Sequence, residues 1–160
     1  MARKRRRNSL AWFAVAAFAG VSQPAMAAII GTCTIVVGAS GTMTANPAIG
    51  MLSSKQAGGS SASATIVASS LLCTLLNLLD CYSVSAPAPA AFSSAPSGGG
   101  TNVTFASVFR LDGSAVDING SVPQRVTNGT HALQVDLTAT KSSGVFPAGT
   151  YQGIVTVLCE

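Results

Sequence analysis

Leu133-Gln134-Val135-Asp136-Leu137-Thr138-Ala139-Thr140 alternates without a break. Leucine, valine and alanine fall at the odd positions and polar side chains at the even ones. Successive side chains of an extended chain point to opposite faces, so this period of two marks a strand with one face packed inward. Upstream, Val103, Phe105, Ser107, Phe109 and Leu111 share one face of a second strand, with Thr104, Ala106, Val108 and Arg110 on the other. Between these two segments lie Asp112-Gly113, Asn119-Gly120 and Asn128-Gly129. Such dipeptides accept positive φ and read as turns, separating short extended pieces at residues 115–118 and 122–127.

Further towards the amino terminus, residues 32–37 are rich in β-branched side chains and end at Gly38, giving a first strand and turn. Short extended pieces are expected at residues 42–45, 64–69 and 81–85. Residues 46–63 carry Asn-Pro, Gly-Gly and many serines, and 87–100 carry Pro87, Pro89, Pro96 and three successive glycines. Both read as long surface loops, the first of them mobile. The leucine-rich run 71–79 is ambiguous between a short helix and an irregular turn. Beyond Pro147-Ala148-Gly149, residues 151–159 form a closing strand with Tyr151, Gly153, Val155 and Val157 on one face. Ile154 and Leu158 make the other face apolar too, so this strand is expected to be covered on both sides.

The amino-terminal residues have a different character. Arg3, Lys4, Arg5, Arg6 and Arg7 precede an apolar run at 10–21, and Pro24-Ala25-Met26-Ala27 supplies small residues before a cut at Ala28. This is the layout of a cleaved secretory signal, 1–27. The run is too short for a membrane span, which takes roughly 20 residues. The formal charge of +4 therefore misleads. Residues 28–160 retain Lys55, Arg110, Arg125 and Lys141 against Asp80, Asp112, Asp117, Asp136 and Glu160, a net −1. Nothing in that balance points to nucleic acid.

Export to an oxidising compartment turns Cys33, Cys73, Cys81 and Cys159 into two expected disulfides. Of the three connectivities, the favoured one joins Cys33 to Cys73 and Cys81 to Cys159. The alternative joins Cys73 to Cys81 and Cys33 to Cys159. The spacing argues against a zinc site, which usually has paired Cys-x-x-Cys knuckles.

Many short strands, frequent turns and no long amphipathic helix give an all-β fold: one antiparallel β-sandwich, residues 28–160, of immunoglobulin-like Greek-key type. Chemistry is sparse. His131 is the only histidine, and it reads as a solvated turn residue. Asp112, Asp117 and Asp136 read as solvated carboxylates, and bridged cysteines offer no thiolate. No catalytic set, metal or cofactor is expected. Asn102, Asn119 and Asn128 begin glycosylation triplets, two of which coincide with the turn dipeptides.

Cys33 in a first strand, Cys73 about 40 residues on, and the closing Pro147-Ala148-Gly149-Thr150-Tyr151-Gln152-Gly153-Ile154-Val155-Thr156-Val157 resemble the small secreted pilin-like proteins of bacteria, the spore coat protein U type and related families. Gly149, Tyr151, Val155 and Val157 match their last strand. The resemblance implies a pilin-like sandwich and a structural or adhesive role at the cell surface. It also implies partners: other copies of the chain, a periplasmic chaperone and an outer-membrane usher, assembling by strand exchange. The residues expected to matter are structural, namely the four cysteines and Tyr151, Val155 and Val157 in the core of the closing strand. Residues 28–32 are too few to donate a strand, and a Cys81–Cys159 bridge would suit a self-complete sandwich. A soluble periplasmic or secreted binding module, with 46–63 and 87–100 presenting a ligand surface, is the second expectation.

Overall fold

The computed structural model describes residues 31–70 and 82–160. The expected signal segment 1–27, the leucine-rich run 71–79, Cys73 and Cys81 lie outside them.

The described residues are all-β, in ten strands: β1 (Thr32–Val37), β2 (Thr44–Ala45), β3 (Met51–Ser53), β4 (Ala62–Ser69), β5 (Tyr82–Ser85), β6 (Val103–Leu111), β7 (Ile118–Asn119), β8 (Gln124–Val126), β9 (Gly129–Lys141) and β10 (Leu158–Cys159). They form two antiparallel sheets, a seven-stranded one and a three-stranded one ordered β10-β5-β8. The segment with the cleanest alternation, β9, is the centre of the large sheet. One of its edges pairs with β6 from Val103↔Lys141 to Leu111↔Leu133. Its other edge pairs first with β4, up to Ala62↔Val135, and then with β3, from Ser53↔Thr138. β1 extends the sheet beyond β4, and β2 beyond β3.

The inward faces behave as their period demands. Ile66, Phe109 and Leu133 from the large sheet meet Val84 and Val126 from the small one in a main core, all essentially solvent-free. A second core gathers Leu52, Ala139 and Phe146, with Phe92, Phe105 and Tyr151 packed against it. Its rings meet mostly edge to face: Phe92 and Phe105 centroids lie 4.7 Å apart, and Phe146 and Tyr151 5.4 Å. That geometry sets the positive edge of one ring against the negative face of the next.

Asp112 and Gly113 both have positive φ (51° and 73°), and Ser114 N–H returns to the Leu111 carbonyl at 2.9 Å. This is the type I′ turn that the dipeptide predicts. Gly120 serves a different purpose. Its carbonyl accepts from Ala86 N–H, its N–H donates to the Ser107 carbonyl, and the Ser107 hydroxyl donates to the Ala86 carbonyl at 2.6 Å. A Cβ on residue 120 would collide with that hydroxyl and carbonyl together. Gly120→Ala is therefore expected to destabilise the fold by about 2 kcal/mol through overpacking of this junction. Urea unfolding checks this, and a change within about 0.5 kcal/mol would show that the junction yields.

Several expectations are corrected. Residues 46–63 are not one mobile loop. They contain β3, with Leu52 buried, and the turn before it is fixed by the Asn46 side chain, whose oxygen accepts from the N–H groups of Gly50 and Met51 at 3.0 Å each. Cys33 does not pair with Cys73. It is bonded to Cys159, which joins β1 to β10 and excludes the Cys81–Cys159 bridge. The closing segment is a laddered strand only at Leu158 and Cys159. Its outer face is open to solvent, with Ile154 60% exposed.

Candidate functional site

Why the closing segment stays unpaired can be read from its neighbour. Continuing the register Leu158↔Ser85 and Cys159↔Val84 sets Pro87 against Thr156 and Pro89 against Ile154. Proline has no N–H to donate, so the ladder stops there. Pairing resumes only at the isolated bridge Ser94↔Gln152, where three residues have been looped out of register. Among the described residues, 153–157 forms no backbone ladder with any other segment. The chain there is nevertheless extended, and its side chains alternate inward and outward without exception. Val155 and Val157 face the main core and Tyr151 faces the aromatic core. The tyrosine is further anchored by its hydroxyl, which donates to the Pro147 carbonyl at 2.7 Å.

A groove of about 1140 Å3 lies between this segment and the inner face of the large sheet. Ile35 and Val37 of β1, Ala64 of β4, Leu52 of β3 and Leu137 of β9 form its floor, and residues 146–157 form its wall. No lining residue carries a charge; Ser, Thr, Gln and Tyr supply its polar side chains. Such a groove selects an uncharged, largely apolar occupant. Among the described residues β1 flanks it as the last strand of its sheet, paired with β4 alone, and its six residues contain neither charge nor proline. Its own sequence thus carries none of the charges or prolines that protect many edge strands from pairing. Its exposed end, with Val37 at 83%, adds an apolar margin. The Cys33–Cys159 bridge closes one end of the groove by holding β1 to β10.

The polar candidates lie elsewhere and are matched in pairs. Asp136 is not solvated: it is 2% exposed, at the point where β9 exchanges β4 for β3. One carboxylate oxygen accepts from Ser54 Oγ and Ser61 Oγ, both at 2.7 Å, and the other from Arg110 Nη2 at 3.0 Å. Burial on its own would raise the pKa of this carboxyl, but the two hydroxyls and the charges of Arg110 and Lys55 outweigh burial and hold it below the usual carboxylate range. Asp117 pairs with Lys55 and lies 3.7 Å from Arg110 Nε.

His131 is likewise not a solvated turn residue. It lies within β9, its side chain is 13% exposed, and Nδ1 is 2.7 Å from Asp112 Oδ2. Among the described residues each aspartate is thus matched to a cation or to the imidazole, and no two carboxyls share a proton. Asn119 and Asn128 use their side-chain amides on backbone groups, Asn119 locally on Ser121 N–H and Asn128 across the fold on both backbone groups of Ser70. Asn102 is exposed at φ 54°, with its amide on Ser143 Oγ.

Sequence reasoning anticipated the inward face of the groove wall but not the groove. The signal for it was present in Pro87 and Pro89, which the sequence alone reads as a linker rather than as an interrupted partner strand. No protein-family model matches this chain, and searches of curated proteins and of solved structures find no match either.

Proposed function

We propose that the chain is an exported, non-enzymatic structural or adhesive protein of the cell surface, a pilin-like β-sandwich that takes an extended strand from a partner protein into its groove. The observation that carries this reading is the pairing of an uncharged groove with the unladdered backbone of residues 153–157. An apolar small molecule would cover the side chains but leave those backbone groups without partners. An extended peptide with apolar residues at alternate positions supplies donors and acceptors as well. The signal-like segment 1–27 and the resemblance of residues 147–157 to pilin-like closing strands support the same reading. The groove favours an open sandwich over the self-complete one. The self-complete expectation rested on a Cys81–Cys159 bridge, whereas the Cys33–Cys159 bridge ties the two flanks together and leaves the space between them open.

The test is light scattering coupled to size exclusion on residues 28–160 exported to a periplasm without a dedicated chaperone. Self-association or degradation is expected, relieved by an added uncharged peptide of alternating apolar residues and no longer relieved in Val155→Arg. A cooperative, high-melting monomer that ignores the peptide would mean a closed sandwich and would favour the soluble binding module.

A further inference from the structure

A second feature, independent of the groove, sits at the amino-terminal end of β9. His131 presents both ring nitrogens to oxygens that bear no proton. Nδ1 faces the Asp112 carboxylate at 2.7 Å, and Nε2 faces the Thr127 backbone carbonyl at 3.0 Å. A neutral imidazole has one N–H and one lone pair, so it can satisfy only one of these oxygens. The other contact becomes lone pair against lone pair. Only the imidazolium, with two N–H groups, satisfies both. The Thr127 hydroxyl, 3.4 Å from Nε2, can donate to the neutral ring, but only if Nε2 turns away from the carbonyl.

The three groups join different parts of the fold. Asp112 belongs to the I′ turn that ends β6 and is itself fixed to β9, since Oδ1 accepts from Ala132 N–H at 2.9 Å. Thr127 lies in the two-residue connection between β8, in the small sheet, and β9, in the large one. We propose that Asp112, His131 and the Thr127 carbonyl form a proton-operated clasp, which holds the β8–β9 connection, and with it the small sheet, to the large sheet only while the imidazole carries its second proton.

The charged and titratable surroundings are few. The turn after β6 contributes Asp112, β4 sets apolar Ile66 opposite His131, and β8 brings Arg125 to the cleft of about 450 Å3 that His131 also lines. Among the described residues that line this cleft, Arg125 and Asp112 are the charged ones besides His131, and Asp112 is the one in direct contact with the ring. The hydrogen bond that the imidazole donates to Asp112 leads the causes that raise the His131 pKa above 6.5, against a smaller opposing effect of burial. The same bond is the leading cause that lowers Asp112 below 3.8. A folded pKa above the unfolded one means that the clasp contributes fully below pH 6.5 and is lost as pH rises through the folded value.

Because the chain has one histidine, its imidazole resonances in a pH titration by NMR need no assignment. The midpoint is expected above 6.5 in the wild type and back near about 6.5 in Asp112→Asn. Asparagine tolerates the left-handed φ of position 112 and keeps the acceptor for Ala132 N–H, so the turn survives. Amide exchange over residues 124–128, corrected for its intrinsic pH dependence, is expected to rise about tenfold across the wild-type titration and to stay flat in His131→Gln. A wild-type midpoint at or below 6.5, a midpoint unmoved in Asp112→Asn, or exchange indifferent to the protonation state would each overturn the clasp.

Discussion

Replacing Cys33 and Cys159 together by serine is expected to cost about 5 kcal/mol of folding stability. The bond spans 126 residues of sequence, so its loss frees nearly the whole domain in the unfolded state. Domains of this size have net stabilities of roughly 5–15 kcal/mol. The double variant should therefore melt roughly 15 °C or more below the wild type, or fail to accumulate. The local loss compounds the entropic one. β10 is two residues long and, among the described residues, pairs with β5 alone, so without the bridge the groove wall is held near β1 mainly by the packing of Val155 and Val157 on the main core. Chemical denaturation under non-reducing conditions measures the difference. A loss under about 1 kcal/mol would mean that the unfolded chain is already constrained by other contacts. The comparison must be made between variants, because a general reductant would also attack any bond between Cys73 and Cys81.

Asp136→Ala carries the second largest expected effect, about 3 kcal/mol. It removes a carboxylate buried to 2% exposure and strips the acceptor from Ser54 Oγ, Ser61 Oγ and Arg110 at once. Arg110 keeps Asp117 nearby and is 26% exposed, so its charge can be rehydrated in part. This keeps the loss at the lower end of the range for a broken buried pair. Asp136 also sets the response to acid. Its folded pKa lies below 3.8, so its contribution is complete above that value and falls away as pH drops through the folded pKa. Wild type and Asp136→Asn should accordingly converge in stability as the pH falls through the folded pKa of Asp136. Parallel melting curves in which the gap persists at low pH would show that shape, rather than charge, is what position 136 provides.

Asp136 also marks the limit of reading this chain from its sequence. The strand that holds it was legible, because eight residues of strict alternation admit one geometry. Yet Ser54 and Ser61 lie 82 and 75 positions away, and no local pattern announces that they will cover the polar face of β9. Leu52 and its neighbours were hidden for another reason: three residues of β3 are too few to display a period, so a strand pairing with β9 looked like loop. Asp112-Gly113 was fully legible, since the turn type follows from which residues tolerate positive φ. Asn119-Gly120 was legible as a turn but not in its cause, which is close packing on Ser107 and Ala86. For residues 151–159 the face was right and the ladder was missing, because a strand's partner is decided by another part of the chain, here one interrupted by prolines.

The position of β9 in the chain governs the order in which this protein can fold as it is made. β1, β3, β4 and β6 all emerge before it, and each must wait for residues 129–141 before the large sheet has a centre. Cys33 waits longer still, for a partner at position 159, while Cys73 and Cys81 pass it first. Oxidation in order of synthesis would join Cys33 to one of these earlier thiols. Reaching the native bond then requires either that the chain remain reduced until it is released or that an isomerase undo the early bond. A chain stopped before residue 159 should accumulate with Cys33 trapped in such a bond, visible as a mobility shift on a non-reducing gel.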